Sequence, residues 1–408
     1  MSLSRRQLIT AMGLLPPLAA VAGAEAAPSP GLLPDRSSFP LDQAYLDAAY
    51  THPFGRAAAS AASAYAESRQ RDPQSVSPRQ NARNGAVERF ARLINADPSD
   101  LAVVPSTMEG ENLVTISLGV GAGAGVVTDA LHYDGSLALY GELQKRGVPV
   151  AVVRPRGTRI DLADVRAMLT RGTRLVAVSL VSSVTGFQHD LGELCALVHA
   201  HDALVYADIV QAAGAVPIDV KASGVDFAAC GTYKWLMADF GTAFLYVRPD
   251  RLDRLTRLHV GWRQVRQYEG HVLPYEAAGP ALGTYQLASG VAGMFEVGTP
   301  SWGALACVAG SLDYIASIGV DAIRRHREPL LQELQAKLPA LGFTRLTPPD
   351  SPSPILAFAC KDAQKRFAAR LRAEKIRISV YEHRIRVSPS VYNTMDDVDR
   401  LVKALSQG

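Results

Sequence analysis

The sequence predicts an α/β protein with a large, mainly parallel sheet followed by a smaller C-terminal α+β domain. Between about residues 101 and 247, short runs rich in Val, Ala and Leu alternate with helical patterns, which is typical of parallel strands joined by crossover helices. The 408 residues, 48% of them hydrophobic and 20% charged, suffice for two domains with a sizeable core. Beyond about residue 310, helices and short strands alternate in the same way.

The clearest unit runs from Arg174 to Tyr206. Residues 175–180 form a largely apolar run, residues 191–198 carry apolar side chains at helical spacing, and residues 203–206 form a second strand-like run. Two further strands are predicted at residues 226–230 and 243–247. Residues 257–293 are rich in Gly, Tyr, His and Arg without a sustained period, which predicts a long functional loop or a partner-contacting excursion.

The N-terminus indicates an export signal. Arg5 and Arg6 directly precede a modestly apolar stretch that reaches Ala24-Glu25-Ala26, as in a twin-arginine signal with its cleavage site. A frayed helix with two incidental arginines is the alternative. Twin-arginine export carries folded cargo, so we expect a periplasmic protein that meets the export machinery after its cofactor has been inserted.

The predicted domains therefore begin with a signal peptide at residues 1–26 and a lead-in segment at residues 27–54. A large cofactor domain follows at residues 55–310 and a small C-terminal domain at residues 311–408. No stretch approaches the roughly 20 apolar residues that cross a bilayer, and Pro16-Pro17 interrupts the apolar run of the signal, so we expect no stable membrane insertion.

Composition and charge also limit which partners and which disulfide bonds are expected. The net charge is only +3, and the 42 basic residues are spread along the chain, so no nucleic-acid partner is expected. The four cysteines are too few and too scattered for a disulfide scaffold, although one bridge would be compatible with the periplasm.

Three polar residues follow successive predicted strands. Asp208 and Gln211 come after the strand that ends near residue 207, and Lys234 comes after the strand that ends near residue 230. In an open α/β sheet such positions line the ligand crevice. The lysine and the acid could form a structural ion pair. Alternatively, the lysine amine forms a Schiff base with an aldehyde cofactor, while the acid keeps the cofactor's pyridinium nitrogen protonated.

Residues 206–214 and 231–235, with their D-x-x-Q-x-x-G and K-W patterns, resemble the class V aminotransferase family. That family includes cysteine desulfurases, isopenicillin epimerase-like proteins and kynureninases. The resemblance extends from the Y-L-D-x-A pattern at residues 45–49 to the R-x-S-x-x-x-Y-N-T pattern at residues 386–394. It implies the aspartate-aminotransferase-like fold (fold type I) and pyridoxal 5′-phosphate (PLP) as cofactor.

The resemblance assigns cofactor contacts. Lys234 holds the aldehyde and later acts as the general base, Asp208 meets the pyridinium nitrogen, and Gln211 lies near the ring's phenolic oxygen. His132 matches the catalytic residue that stacks on the ring. Tyr133 takes that position instead if the alignment shifts by one residue.

The phosphate contacts implied by the resemblance come from the segment around Thr107 and Met108, at a predicted helix start, and from Tyr233. Met108 stands where a Thr is common, and Ser183 stands where many members have an Asn beside the ring. Thr299 matches a segment that reaches the phosphate of a partner subunit, which implies a homodimer with shared active sites.

The substrate contacts implied are Arg386, whose guanidinium fork suits a carboxylate, and His52. Arg384 competes with Arg386 for this role, and His52 could equally be an ordinary loop histidine. Residues 361–386 contain no cysteine, and Cys360 ends an apolar run. The sequence therefore predicts that the enzyme is not a cysteine desulfurase.

Two further sequence patterns resemble binding motifs but do not predict a functional site. The glycines at residues 119–125 mimic a dinucleotide fingerprint but follow a helix and precede a strand, so they indicate a helix end and a turn. Cys195, His199 and His201 lack further ligands nearby in sequence, so no metal site is predicted.

The resulting hypothesis is a PLP-dependent enzyme with aminotransferase-type chemistry, acting on an amino acid, an amine or an amino-acid-derived periplasmic metabolite. The alternative is a PLP-dependent lyase or an epimerase or tailoring enzyme of a secreted peptide or siderophore. A non-catalytic binding protein would have little reason to keep Lys234, Asp208 and Gln211 together. A cofactor-free hydrolase is disfavoured because no Ser/His/Asp set occurs in a nucleophile-elbow context.

Overall fold

The computed structural model describes residues 33–407 and confirms the α/β class. Its centre is a seven-stranded sheet in the order β2-β8-β7-β6-β5-β3-β4, in which β8 alone runs antiparallel to its neighbours. The strands are β2 (Leu101–Val104), β3 (Gly125–Asp129), β4 (Val150–Val153), β5 (Thr173–Ser179), β6 (Leu204–Asp208), β7 (Phe227–Gly231) and β8 (Ala243–Val247).

The inner strands are continuous apolar runs because helices cover both faces of the sheet. Every residue of β6, β7 and β8 is buried. The helices of this part of the chain are α1 (Arg56–Arg71), α2 (Ser77–Ile94), α3 (Thr107–Ser117), α4 (Asp134–Lys145), α5 (Leu162–Met168), α6 (Leu191–His199), α7 (Val220–Ser223), α8 (Gly290–Phe295) and α9 (Trp302–Ile318). Helices α1 and α2 pack against α9.

A second sheet and a separate apolar core lie further along the chain. Four antiparallel strands pair in the order β11-β12-β15-β14, and the short strand β1 joins β13 in parallel. The elements are β1 (Ala44–Tyr45), α10 (Val320–Lys337), β11 (Thr344–Arg345), β12 (Leu356–Ala359), α11 (Ala363–Ala373), β13 (Ile376–Arg377), β14 (Ser379–Val380), β15 (Arg384–Val387) and α12 (Met395–Ser406). This core combines residues from 330 onward with Ala44 and Leu46 from the lead-in segment.

The predicted domain limits stay a prediction, and helix α9 runs through residue 310. The signal peptide and the start of the lead-in segment lie outside the described residues. Within residues 33–407, no single helix is both long and apolar enough to cross a membrane, and the pair Trp302–Ile318 and Val320–Leu341 meets that test only jointly, with a 75° bend.

Residues 257–293 are more ordered than the sequence predicts. They contain an antiparallel hairpin of β9 (Val265–Glu269) and β10 (Thr284–Leu287), followed by α8. Seven of the nine residues of these strands are exposed, so neither strand shows the apolar alternation that marks a half-buried strand. The glycine run behaves as predicted, because α3 ends at Ser117, Gly119 has a φ of +67°, and β3 begins at Gly125.

Candidate active site

The carboxyl ends of the central strands open onto a cavity of about 230 Å³. Its walls come from the segments that follow β2, β3, β5, β6 and β7, as expected for a ligand crevice in an open α/β sheet. The lining residues are Ser106, Thr107, Met108, Tyr133, Ser179, Ser183, Asp208, Val210, Gln211, Tyr233 and Lys234. Seven of the residues predicted from sequence are therefore brought together; His132, His52, Arg386 and Thr299 are not part of this wall.

Lys234 follows β7 and is 8% exposed. Burial lowers the pKa of its amine to about 8, although the Asp208 carboxylate opposes the shift, and the Arg386 guanidinium lowers the pKa further. Such an amine is substantially neutral near pH 8, and a neutral amine is the nucleophile that captures an aldehyde.

The D-x-x-Q-x-x-G pattern has a physical reason in the turn that holds Lys234. Gly214 has a φ of +88°, and a Cβ at this position would overlap the carbonyl oxygen of Trp235. Gln211 accepts a hydrogen bond from Trp235 Nε1 at 2.9 Å and donates one to the Ala49 carbonyl at 3.0 Å. The pattern therefore packs the chain after β6 against the Lys234 turn, and the Gln211 amide also ties that turn to the lead-in segment.

Asp208 is the last residue of β6 and is 4% exposed. Burial raises the pKa of its carboxyl group, while the Val210 N–H, His132 and Lys234 oppose the shift. Its Oδ1 accepts the Val210 N–H at 2.9 Å, and no hydrogen bond to Oδ2 occurs within residues 33–407. That oxygen is therefore available to a protonated ring nitrogen in the cavity.

The cavity also contains a helix N-terminus, which favours an anion through its exposed N–H groups and its macrodipole. Ser106 caps α3 by accepting the Glu109 N–H at 3.0 Å, and the Thr107 hydroxyl accepts the Gly231 N–H at 2.9 Å. The first backbone N–H groups of α3, at Thr107 and Met108, have no partner within the helix. A buried amine, a free carboxylate oxygen and an open helix N-terminus fit PLP.

His132, predicted to stack on the ring, does not line the cavity. It is fully buried, whereas Tyr133 is 42% exposed and lines the cavity. The reason lies in the turn after β3, where Asp129 accepts the Leu131 N–H through its side chain and the His132 N–H through its carbonyl. This turn directs His132 behind the cavity wall, and Tyr133, the alternative, is the one of the two that lines the cavity. Which of them stacks on the ring stays a prediction.

Arg386 lies on β15 and is 4% exposed. It donates to the Ser379 hydroxyl at 3.0 Å and to the carbonyl of Ser183, a cavity residue, at 3.1 Å, and it lies 3.5 Å from Asp47. Its buried Nε has no hydrogen-bond partner among residues 33–407. An unpartnered guanidinium N–H beside the cavity is what a substrate carboxylate would satisfy.

Arg384, the competitor for that role, is held differently. It donates to the Val184 carbonyl at 2.8 Å and lies over the Tyr381 ring, 4.1 Å from its centroid. Both of these contacts are within the protein. The structure therefore favours Arg386 as the carboxylate-binding residue, and it shows that Asp47 of the Y-L-D-x-A pattern helps to hold it.

His52 is a structural residue rather than a substrate contact. It is 2% exposed, and its ring nitrogens lie 2.8 Å from the Pro53 carbonyl and 2.8 Å from the Ser390 hydroxyl. Burial lowers the pKa of this imidazole to about 4, against the effect of the Pro53 carbonyl. The neutral ring secures the lead-in segment, whose His52 N–H also bonds the Tyr233 carbonyl at 3.0 Å.

Thr299 lies in a different cavity of the same chain. It lines a space of about 290 Å³ together with Glu109, His259 and Glu296, and it is absent from the wall around Lys234. Among the described residues, no group of three or more His, Cys, Asp or Glu side chains is placed to hold a metal ion.

A group of buried polar residues behind the cavity wall was not predicted from the sequence. Glu111 is fully buried and contacts His132, Ser136 and Tyr140. The available signal was the position of Glu111 on the face of α3 that also carries Val114 and Thr115, both buried. A carboxylate on such a face needs partners.

The buried lysine, the facing carboxylate and the helix N-terminus at one sheet edge define a PLP-dependent enzyme of fold type I. The chain belongs to the class V aminotransferase family, whose family model, described as aminotransferase class-V, matches residues 45–401. PLP is the cofactor, and the predicted fold and cofactor are both confirmed.

Relatives that align with most of this chain are named cysteine desulfurases. A probable cysteine desulfurase of Methanothermobacter thermautotrophicus is 27% identical over 342 residues, which are 79% of this chain and 82% of the relative. A cysteine desulfurase of Klebsiella pneumoniae is 28% identical over 359 residues, 81% of this chain and 84% of the relative.

Solved structures show the same fold. A cysteine desulfurase of Thermococcus onnurineus NA1 superposes with a TM-score of 0.79 at 21% identity, covering 91% of this chain and 96% of that one. The cystine C–S lyase C-DES, in complex with its reaction product cysteine persulfide, has a TM-score of 0.78 at 20% identity and covers 90% of this chain and 97% of that one.

Two predictions from sequence are wrong. The assignment to aminotransferase-type chemistry is contradicted, because the relatives are named cysteine desulfurases. The exclusion of cysteine desulfurases fails for the same reason. It rested on one missing cysteine in one segment, whereas the similarity extends over about four-fifths of the chain.

The pKa of Lys234 predicts how cofactor uptake depends on pH. Only the neutral amine attacks an aldehyde, so the rate at which apoprotein takes up PLP should rise with pH and level off above a midpoint near 8. Stopped-flow absorbance measures this rate. Asp208→Asn removes the charge that raises the Lys234 pKa, so its midpoint should lie lower than that of the unmodified protein. A midpoint near 10.5, the ordinary lysine value, would contradict the assignment.

Proposed function

We propose that the protein is a PLP-dependent lyase that cleaves the carbon–sulfur bond of cysteine or of a cysteine-derived sulfur amino acid such as cystine. The observation that carries the proposal is the cavity in which Lys234 faces Asp208, with the Arg386 guanidinium beside its wall. The names of the similar proteins support the choice of bond, because they describe removal of sulfur from cysteine or cleavage of the carbon–sulfur bond of cystine.

Each site residue has a separate role in the proposed reaction. PLP, when bound, supplies an electron sink for the charge that develops at the substrate's α-carbon. Asp208 Oδ2 keeps the ring nitrogen protonated, and the N-terminus of α3 binds the phosphate. The Arg386 Nε donates to the substrate carboxylate. Lys234 Nζ takes the α-proton, since a buried amine with a pKa of about 8 is a competent base near neutral pH.

The fate of the sulfur follows from the cysteines. All four are unpaired and buried. Burial raises the thiol pKa of Cys195 to about 12, of Cys307 to about 11 and of Cys230 well above its usual range. A sulfur-accepting thiol must be exposed and ionised. We therefore propose that the sulfur leaves the site as a soluble thiolate or persulfide, or passes to a small thiol from solution.

Incubation with L-cysteine and L-cystine in separate reactions tests the function. Loaded protein should release sulfide from L-cysteine or cysteine persulfide from L-cystine, each with equal amounts of pyruvate and ammonia, or should convert L-cysteine to alanine while an added thiol becomes its persulfide. Transfer of the amino group to a keto acid without any sulfur release would contradict the proposal.

The dimer is likewise a proposal. Thr299 lies away from its own chain's cofactor cavity, and the β9-β10 region exposes several large apolar side chains. These exposed side chains are Trp262, Tyr268, Val272, Leu282 and Tyr285. A patch of this kind marks an interface. The double variant Tyr268→Asp/Tyr285→Asp should shift the protein from dimer to monomer in light scattering, whereas a monomeric unmodified protein would contradict the proposal.

We also propose export by the twin-arginine route to the periplasm, on the strength of Arg5, Arg6 and the apolar stretch that follows. Cell fractionation should place the unmodified protein in the periplasm and an Arg5→Lys/Arg6→Lys variant in the cytoplasm. Equal distribution of both proteins would contradict the proposal.

A further inference from the structure

A compact group of polar side chains lies behind the wall of the PLP cavity. Glu111 Oε1 accepts a hydrogen bond from the Tyr140 hydroxyl at 2.6 Å and lies 3.0 Å from His132 Nε2, and Oε2 accepts one from the Ser136 hydroxyl at 2.6 Å. The four residues are at most 1% exposed. A carboxylate in such surroundings is stable only when it is paired and hydrogen-bonded.

The hydrogen bonds fix the charges of this group. Three donors converge on Glu111, which favours the ionised carboxylate. Burial, the largest single influence, would raise the pKa of Glu111 and lower that of His132. Their mutual attraction, together with the hydrogen bonds to Glu111 and the other carboxylates near His132, outweighs burial, so the pKa of Glu111 lies below its ordinary value and that of His132 above. Asp129 and Asp208 also face His132 and favour its proton. Glu111 and His132 therefore form a carboxylate–imidazolium pair.

The imidazolium reaches the cavity through one further residue. His132 Nδ1 lies 2.8 Å from the Ser179 hydroxyl oxygen. An imidazolium has only donors, so Ser179 accepts this bond and its own hydrogen points elsewhere. Ser179 lines the cavity, and it is the register partner of Asp208 in the pairing of β5 with β6, so the two side chains share one face of the sheet.

We propose that Glu111 and His132 are positioning residues: Glu111 keeps His132 charged, and the His132 imidazolium favours the ionised form of the neighbouring Asp208 and orients the Ser179 hydroxyl toward the PLP ring. The inference rests on PLP occupying this cavity, and it deepens the proposed function by naming what maintains the charge opposite the ring nitrogen. His132 donates through both nitrogens, so it holds its proton rather than transferring it.

A second histidine–carboxylate contact offers a control. His199 Nε2 lies 2.7 Å from Asp226 Oδ2, at the opposite end of the sheet, where Asp226 directly precedes β7. Neither residue lines the PLP cavity. His199→Gln thus removes a histidine–carboxylate pair without touching the site, whereas Glu111→Gln keeps the size of the side chain and removes its charge.

The test combines two measurements that need no sulfur substrate. In apoprotein labelled with ¹⁵N-histidine, the His132 signals, identified by their loss in His132→Gln, should show both ring nitrogens protonated between about pH 6 and 8. In Glu111→Gln they should show a neutral ring. PLP titrated into apoprotein should bind roughly 10- to 100-fold more weakly to Glu111→Gln, by analogy with the loss seen when the hydrogen-bond partners of metal ligands are removed. His199→Gln should match the unmodified protein.

A pH series separates positioning from a merely structural role. Without its carboxylate partner, the buried His132 regains its proton only at lower pH, so the deficit in PLP affinity of Glu111→Gln should shrink as pH falls. Tyr140→Phe removes one donor from Glu111 and should move both readouts in the same direction by less. This milder variant keeps the test available if Glu111→Gln does not fold.

Three results would overturn the inference. These are a neutral His132 in the unmodified apoprotein, an unchanged PLP affinity when Glu111→Gln has lost the His132 proton, and an equal loss in His199→Gln. A protein that binds PLP as described but releases no sulfur would refute the proposed reaction and leave this inference standing, because neither readout involves a substrate.

Discussion

Lys234→Ala is expected to abolish sulfur release and to remove the covalently attached form of the cofactor. The amine both captures the aldehyde and serves as the base at the α-carbon. Loss of a general base alone lowers rates by about 10²- to 10⁴-fold, and loss of the covalent attachment adds to this. The measurements are kcat for sulfide or persulfide release and the cofactor absorbance that stays with the protein through borohydride reduction and denaturation, which the unmodified enzyme retains because borohydride converts the Lys234 Schiff base into a stable amine.

Lys221→Ala is the matched control for this prediction. Lys221 is a half-exposed lysine that pairs with Asp97 at 3.0 Å, away from the cavity, so its removal should leave both readouts unchanged. If Lys234→Ala retained cofactor through denaturation, another lysine would hold the aldehyde, and the assignment of Lys234 would be wrong.

Arg386→Gln is expected to raise KM far more than it lowers kcat. Removing one member of a buried, hydrogen-bonded charge pair costs about 2–5 kcal/mol, which corresponds to roughly 30-fold to several thousand-fold in affinity. The effect should be largest for amino acids with a free carboxylate and small for their amides, which lack the charge that Arg386 binds. Steady-state kinetics with cysteine and cysteine amide measures this difference.

The neighbouring arginine provides the comparison. Arg384 lies on the same strand as Arg386, and Arg384→Gln removes its contacts with the Val184 carbonyl and the Tyr381 ring. We expect the KM of this variant to change by less than about threefold, as for residues outside a binding contact. Arg386→Gln also leaves Asp47 without its nearest cation, so its thermal stability should be measured in parallel. Equal KM values for the two variants, with both folded, would contradict the carboxylate-binding role of Arg386.

The central strands and the residues at their ends were predictable because the signals are local. Apolar runs bounded by polar residues placed β6, β7 and β8 close to their observed limits. Asp208 ends β6 and Lys234 follows β7, and these two strands lie side by side. The two residues therefore meet at one carboxyl edge, as the predicted parallel sheet requires. The Gly214 spacing likewise reflects a close packing against Trp235 that leaves no room for a Cβ.

The remaining site residues depend on tertiary structure. Whether His132 or Tyr133 faces the cavity is decided by a turn of four residues that Asp129 closes, and a one-residue shift in sequence matching reverses the outcome. Glu111 becomes part of the site only because α3 and α4 bring Ser136 and Tyr140 to the same carboxylate. The β9-β10 hairpin has no buried face in one chain, so it leaves no apolar period to detect.

The function was predicted less well than the fold because it, too, depends on tertiary structure. Reaction choice within this family depends on where the substrate's bonds lie relative to the ring, and this placement leaves little trace in motif spacing. A single missing cysteine was therefore given too much weight against the similarity to desulfurases along the whole chain. The buried cysteines bear on where the sulfur goes, and not on whether the carbon–sulfur bond is broken.

The most direct test of the account is the release of sulfur from L-cysteine and L-cystine by PLP-loaded protein, measured beside the Lys234→Ala variant. Sulfide or persulfide is expected in step with the carbon product from at least one of these substrates, and none from the variant. Cofactor-loaded protein that releases no sulfur from either substrate, or a Lys234→Ala variant that releases it as fast as the unmodified enzyme, would contradict it.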